Sequence, residues 1–193
     1  MKKTVLGLLR HSQTVFNFED VAIILGSTDS KATINSLYYY IKKGELCRIR
    51  KGIYAKDQNY DRLELACKIY TPSYISFETV LQKSGVVFQY YNTIFTASYQ
   101  NKEFICDEQA YKSRTLKESI LTNRAGLINA GHYYIACPER AFLDLLYLDK
   151  EYYFDNLNPF NWQKIFDLLP LYENKALEKR VGSYYENFKS STT

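Results

Sequence analysis

Three glycines divide residues 18–55 into short elements of different type. Gly26 closes an apolar run that opens with two acidic residues, and acids are favoured in the first turn of a helix because the helix dipole is positive there. Gly44 follows two lysines at the end of a second apolar run, where glycine readily takes the left-handed conformation that ends a helix. Gly52 stands where a turn is needed between two short strands. The segment therefore predicts helix, helix and hairpin in that order.

The helix between Gly26 and Gly44 is predicted to span about residues 31–43. Asp29 or Ser30 can cap its first turn by accepting hydrogen bonds from free backbone N–H groups. Its apolar face is predicted from helical spacing to comprise Ile34, Leu37, Tyr38 and Ile41. The candidates for its outer face are Lys31, Thr33, Asn35, Ser36 and Tyr39.

A basic hairpin is predicted directly after this helix, over residues 45–55. Basic residues alternate with apolar ones before the turn, and the cations of the hairpin are Arg48, Arg50 and Lys51. Residues 1–17 and 18–25 are predicted to form two earlier helices. Helix, helix, turn, helix and basic hairpin is the order of a winged helix-turn-helix. In that motif the helix after the turn enters the major groove, and the hairpin is set to reach phosphates or the minor groove.

Positive charge is concentrated in the same part of the chain. Residues 1–60 contain ten Lys or Arg and five Asp or Glu, a net charge of +5, whereas the other 133 residues contain 15 basic and 16 acidic groups, a net of −1. Clustered cations favour a polyanionic partner because they displace the counterions condensed on phosphates. A purely structural helix and hairpin with solvated cations is the alternative interpretation.

The polar residues 56–62 mark the predicted domain boundary. They separate a DNA-binding domain over residues 1–58 from a second domain over residues 63–189. The second domain is predicted to contain strands at 93–97, 103–106, 110–116 and 133–136, with helices at 63–70 and 77–81 before them and three more after Pro138. The fold class is therefore α+β, an N-terminal winged helix-turn-helix followed by a mixed α+β domain.

The chain shows no pattern typical of an enzyme or a metal site. Its four cysteines, at positions 47, 67, 106 and 137, lie at least twenty positions apart, and only two histidines accompany them. Neither a Gly-x-Ser-x-Gly nucleophile motif nor a glycine-rich phosphate loop occurs. Arg140 and Asp144 are spaced for an ion pair within one helix. We therefore expect no catalytic residue, no metal and no cofactor.

Two further features bear on where the protein resides. The apolar run near the N-terminus stops at Arg10 after five residues, which is too short for the apolar region of a signal peptide. No stretch reaches the length of a membrane span, and isolated cysteines fit a reducing compartment. The expected location is the cytoplasm, without membrane association.

Three segments carry a resemblance to a known family. Residues 37–54 end in Lys-Gly-Ile-Tyr, residues 74–81 read Tyr-Ile-Ser-Phe-Glu-Thr-Val-Leu with a glycine soon after, and residues 135–146 contain Pro-Glu-Arg-Ala. In this order they resemble the AbiEi-type antitoxins. These are transcriptional regulators that form one half of bacterial type IV toxin–antitoxin and phage abortive-infection pairs.

The resemblance implies an activity that the residues alone do not. Such proteins repress their own operon by binding double-stranded operator DNA, and their C-terminal domain counteracts a nucleotidyltransferase-like toxin, generally without a stable complex. It implies no particular antitoxic residue and leaves the oligomeric state open. Carried over to this chain, the DNA-facing set would be Lys31, Thr33, Asn35, Ser36, Arg48, Arg50 and Lys51.

Two alternatives remain open at this point. The protein could be a stand-alone winged-helix transcription factor whose second domain senses a ligand or dimerises. It could also be an enzyme with an appended winged helix, which the missing catalytic pattern disfavours. The gene next to that of this protein would separate an antitoxin from a stand-alone regulator.

Overall fold

The computed structural model describes residues 5–192 and has a mixed α+β architecture. It contains two compact units, one ending at Ile69 and one beginning at Tyr70. The first unit comprises α1 (Val5–Arg10), β1 (Val15–Asn17), α2 (Phe18–Leu25), α3 (Ser30–Lys42), β2 (Cys47–Arg50), β3 (Ile53–Ala55) and α4 (Arg62–Ile69). Helix α4, which the sequence assigned to the second domain, thus belongs to the first unit.

The prediction of one helix over residues 1–17 is wrong for its second half. Residues 1–4 lie outside the described part of the chain, and α1 ends at Arg10. Strand β1 then pairs with β3, Val15 opposite Ala55 and Phe16 opposite Tyr54, in a three-stranded antiparallel sheet of order β1-β3-β2. Val15 and Phe16 are both fully buried, and β-branched and aromatic side chains of this kind favour a half-buried sheet.

The ends of α2 and α3 agree with the local signals in the sequence. The Asp29 side chain accepts a hydrogen bond from the backbone N–H of Lys31 at 2.8 Å and so caps α3. Gly26 and Gly44 both have positive φ, 64° and 72°. After α3, the N–H of Gly44 donates to the carbonyl of Ile41 and the N–H of Glu45 to that of Tyr40, which is the Schellman arrangement. The predicted helix terminators are confirmed.

The core of the first unit lies between its helices and its small sheet. Its buried side chains are Leu8, Phe16, Val21, Leu37 and Leu46, each of which stabilises the fold by roughly 1.5–3 kcal/mol through burial.

Helix α4 is attached to the same unit by polar contacts. Buried Glu64 accepts hydrogen bonds at 2.9 and 2.6 Å from the backbone N–H and the hydroxyl of Thr14. Lys68 Nζ lies 2.8 Å from Asp20 Oδ2. These contacts span about fifty residues of sequence, so the polar segment 56–62 is a connection within the unit.

The second unit is built around a six-stranded sheet of order β6-β7-β5-β4-β9-β8. Its elements are β4 (Tyr74–Ile75), α5 (Glu78–Lys83), β5 (Thr93–Ser98), β6 (Lys102–Cys106), β7 (Gln109–Thr115), α6 (Glu118–Leu121), β8 (Leu127–Asn129), β9 (Tyr134–Ala136), α7 (Pro138–Leu148), α8 (Trp162–Leu168), a 3₁₀ turn (Leu169–Tyr172) and α9 (Lys175–Thr192). The pairs β5–β7 and β4–β9 are parallel. All four predicted strands are present, whereas the short α6 and β8 were not predicted.

Helix α7 runs through the core of the second unit. It begins at Pro138, as predicted, and its residues 139–146 are all buried. Phe142 is surrounded by other aromatic rings, with ring centroids 5.0 Å from Phe154 and 4.7 Å from Phe160. Of the helices between residues 5 and 192, none is both long and apolar enough to cross a membrane.

Candidate nucleic-acid interface

Six residues of α3 form one exposed strip along the helix. They are Lys31, Ile34, Asn35, Tyr38, Tyr39 and Lys42. Their spacings of three, four, seven, eight and eleven positions from the first place them on the same side of a helix. The opposite side carries Leu37, which is buried, and Tyr40 and Ile41, which pack partly buried against the core of the first unit. We refer to the six exposed residues as the α3 strip.

The buried face of α3 differs from the predicted apolar face by a rotation about the helix axis. Ile34 and Tyr38 were expected to be buried, but their side chains are 55% and 69% exposed, whereas Thr33 is only 1% exposed. The Thr33 hydroxyl donates to the carbonyl oxygen of Asp29 at 3.0 Å, and a threonine whose hydroxyl is satisfied within the helix can occupy a core position. Thr33 therefore does not belong to the exposed set in which the sequence placed it.

The other predicted residues of α3 differ in how they are presented. Ser36 lies at the flank of the strip, and its hydroxyl donates to the carbonyl of Ala32 at 2.8 Å. Tyr39 is exposed, and the Nζ atom of Lys43 lies 4.6 Å from its ring centroid. Hydrogen bonding with Tyr39 raises the pKa of Lys43. Lys31 and Asn35 are exposed, as expected.

The hairpin presents all three of its predicted cations to solvent. Arg48, Arg50 and Lys51 are exposed. The register between β2 and β3 shifts between Arg48, which faces Tyr54, and Arg50, which faces Ile53. A bulge of this kind increases the local twist of a hairpin. Gly52 completes the turn with φ of 80°, a conformation that glycine adopts without steric cost.

The α3 strip and the hairpin share one supporting core. Leu37 of α3 and Leu46, just before β2, belong to the same buried cluster, against which Tyr54 of β3 also packs. Residues 26–56 contain seven basic and two acidic side chains, and α3 itself contains no acid. Of the two acids, Asp29 is occupied in capping the helix. The surface of this segment is therefore cationic.

The chain has no match among known protein families, and no curated protein matches it either. The resemblance of its three segments to AbiEi-type antitoxins stays a prediction.

The second unit contains a buried network of charged and hydroxyl side chains around Arg140 and Asp144. The predicted ion pair between Arg140 and Asp144 is present, with Nε 3.2 Å from Oδ1 and both side chains fully buried. Tyr74, Ser76 and Tyr172 donate their hydroxyls to the Asp144 carboxylate at 2.7–2.9 Å. All five side chains of this network are buried. The network therefore stabilises the core of the second unit. Spacing within one helix revealed the pair, but not its three partners from distant segments.

A second polar cluster of that unit is less completely satisfied. Arg114 lies 2.7 Å from Asp149 and 3.9 Å from Glu78, and its guanidinium covers the Phe77 ring at 4.8 Å. Phe77 has φ of 56°, a conformation that costs energy for a residue with a side chain. Burial raises the pKa of Glu78, whose Oε2 atom has no hydrogen-bond partner among the described residues. Sequence reasoning did not identify this cluster.

Metal binding has no support in the described part of the chain. Within residues 5–192, no three or more His, Cys, Asp or Glu side chains come together as potential ligands. None of the four cysteines forms a disulfide within the described residues.

Proposed function

We propose that the first unit is a winged helix-turn-helix that binds double-stranded DNA, with α3 in the major groove and the β2–β3 hairpin against the phosphates. The observation that carries this proposal is the exposed α3 strip, which is followed on the same core by three exposed cations of a hairpin. We further propose that the protein is the antitoxin and autorepressor of a type IV toxin–antitoxin operon.

The dimensions and connections of the first unit support duplex DNA as the partner. Helix α3 has 13 residues, which gives a length of about 20 Å, and the major groove of B-form DNA admits a helix of this kind. Four residues, 26–29, connect α2 to α3, which is a turn length found in helix-turn-helix motifs. Lys31 and Lys42 are exposed near the two ends of α3, and we expect them to contact phosphates on either side of the groove.

The antitoxin part of the proposal depends on the family resemblance. The resembling segments 74–81 and 135–146 form β4 with α5 and β9 with α7. Tyr74 and Ser76 from the first segment contact Asp144 from the second. These motif residues therefore build the interior of the second unit, which supports a shared architecture and not a shared surface.

Binding of the protein to its own promoter duplex tests the DNA-binding role. We expect Arg48→Ala/Arg50→Ala/Lys51→Ala to make the slope of log K against log salt less negative by about 2–3, because each neutralised phosphate contributes about −0.9. Fluorescence anisotropy over a range of salt concentrations measures this slope. The matched control is Lys83→Ala/Lys102→Ala/Lys117→Ala, which removes three exposed lysines of the second unit. Equal slopes for the two triple variants would contradict the role of the hairpin.

Co-expression with the adjacent gene tests the antitoxin role. If that gene encodes a nucleotidyltransferase-like toxin, its expression should stop growth, and this protein should restore growth. An open cavity of about 610 Å³ beside β5–β7, lined in part by Phe95, Phe104 and Tyr111, favours the alternative of a ligand-sensing regulator. Binding to the promoter without restored growth would support that alternative.

A further inference from the structure

We infer that the α3 strip recognises adenine–thymine base pairs, with Asn35 reading adenine and Ile34 and Tyr38 contacting thymine methyl groups. This inference rests on the proposed DNA-binding function and specifies which base pairs the same surface would select.

The apolar part of the strip is the first observation. Ile34 and Tyr38 are more than half exposed, although the burial of such side chains would stabilise the fold. They lie four positions apart, and side chains at that spacing are neighbours on a helix surface. Together with Asn35 they make a continuous patch with an apolar part and one amide. An unburied apolar patch in the middle of a cationic surface indicates a contact with a partner.

Among the polar uncharged side chains of residues 31–42 in α3 that are not aromatic, Asn35 is the one available to hydrogen-bond to a base edge. The hydroxyls of Thr33 and Ser36 already donate to carbonyl oxygens of their own segment. Across the described residues, no hydrogen bond occupies the Asn35 side chain, which is exposed. Its amide can donate to N7 of adenine and accept from the N6 amino group at once, a bidentate pairing that other bases do not offer.

The chemistry of the major groove assigns the apolar neighbours to thymine. The C5 methyl of thymine is an apolar group that this groove exposes, and aliphatic side chains contact it directly. Because Asn35 and Ile34 both neighbour Tyr38 on the helix surface, at spacings of three and four positions, an adenine read by Asn35 and a thymine methyl beside it can be contacted in one docking position. Tyr38 extends the apolar contact by one helical turn.

Charge favours DNA over a second copy of this chain as the partner of the strip. Lys31 and Lys42 flank the apolar residues, and the hairpin adds Arg48, Arg50 and Lys51 in the same unit. Two such surfaces facing each other would bring like charges together, whereas phosphates neutralise them.

The experiment begins with selection of bound duplexes from a random DNA pool by the full chain. In the selected site, each thymine is then replaced singly by deoxyuridine, which removes only the methyl group. We expect a loss of about fourfold in affinity at one or more positions, the value for one buried methyl. Ile34→Ala or Tyr38→Ala should weaken binding to the natural site and abolish the sensitivity to deoxyuridine at the position that it contacts. Asn35→Ala should abolish the sensitivity of one adenine to replacement by 7-deazaadenine.

The matched control is Ser183→Ala, which removes a helical serine hydroxyl of the second unit that likewise donates to the carbonyl four positions earlier, and which should retain both sensitivities. Circular dichroism checks that each variant is folded, as expected for changes at exposed positions. Binding that is indifferent to every deoxyuridine and 7-deazaadenine replacement would overturn this inference while leaving DNA binding intact. A loss of self-association by Ile34→Ala in sedimentation, with unchanged binding to DNA, would also overturn it. Failure to bind any duplex would instead contradict the proposed function itself.

Discussion

Arg140 and Asp144 lie one turn apart on α7, and the guanidinium Nε atom donates to the carboxylate at 3.2 Å with both side chains fully buried. The other guanidinium nitrogens donate to the carbonyl oxygens of Ala125 and Ile120 at 2.7 and 2.8 Å. Burial, and then the charge of Asp144, raise the pKa of Tyr172 well above its ordinary value, so this hydroxyl keeps the proton that it donates. Each nitrogen of the guanidinium and each oxygen of the carboxylate therefore has a hydrogen-bond partner.

Removal of one member of this pair should destabilise the second unit strongly. We expect Arg140→Met to lower the free energy of unfolding by about 3–5 kcal/mol, because it leaves the Asp144 carboxylate buried without its cation. Arg140→Met/Asp144→Leu should cost less than the single variant, since no charge remains uncompensated. Urea denaturation measures both. Lys112→Ala, at the exposed Lys112–Glu103 pair, serves as the control and should cost less than about 1 kcal/mol. A double variant no more stable than Arg140→Met would refute the compensation argument.

Glu78 should make stability decrease as the pH rises. Burial raises its pKa above the ordinary value of 4.5, so the folded state holds this proton more tightly than the unfolded state. The folding equilibrium therefore loses stability as the pH rises from 4.5 through the raised pKa. Glu78→Gln should be more stable relative to the unmodified protein at about pH 7 than at about pH 4, where both side chains are neutral.

Glu139→Gln should show the opposite dependence of stability on pH from Glu78→Gln. Burial opposes ionisation of Glu139, but hydrogen bonds from its own backbone N–H and from Lys164 outweigh it and lower the pKa. Its stabilisation is present above the ordinary pKa of 4.5 and is lost as the pH falls through the lowered value. The deficit of Glu139→Gln should therefore shrink towards acid pH. Parallel pH trends for the two variants in urea denaturation would contradict these assignments.

Thr33 should matter for stability and not for recognition of DNA. Thr33→Val keeps the shape of the side chain but removes the hydroxyl that donates to Asp29, which we expect to cost about 1 kcal/mol. Thermal unfolding and promoter affinity, corrected for the folded fraction, are the two measurements. Asn35→Ala is the counterpart and should alter affinity with little change in stability. If Thr33→Val changes sequence preference instead, the orientation of α3 described above is wrong.

Gly126 is required both by its backbone and by its surroundings. Its φ is 73°, and a Cβ atom there would lie 3.0 Å from Arg140 Cβ and from Leu168 Cδ1. Gly126→Ala should therefore lower the free energy of unfolding by about 1–2 kcal/mol, because alanine disfavours the left-handed conformation. Displacement of the neighbouring side chains should lower it further. Gly131→Ala is the matched control, because Gly131 has φ of 94° but no atom within 4 Å of its Cβ position. Equal losses of stability in urea denaturation would show that the crowding at Gly126 has no cost.

Local signals predicted much of the first unit because caps and turns involve neighbouring residues. Asp29, Gly26 and Gly44 act within a few positions of themselves, so the ends of α2 and α3 could be read directly. The alternation of apolar and basic residues likewise predicted the hairpin. The rotation of α3 could not be read, because Leu37 is compatible with either Thr33 or Ile34 as its buried neighbour.

The sequence by itself determined where α2 and α3 start and end, where the hairpin turns and where positive charge accumulates. Only the tertiary structure decided which side of α3 faces solvent, that residues 15–17 join a sheet, and that α4 belongs to the first unit. These outcomes depend on contacts between distant positions, such as Phe16 with Tyr54 and Thr14 with Glu64. The free energy of such contacts exceeds the small local preferences of the residues involved, and no pattern within a short window records them.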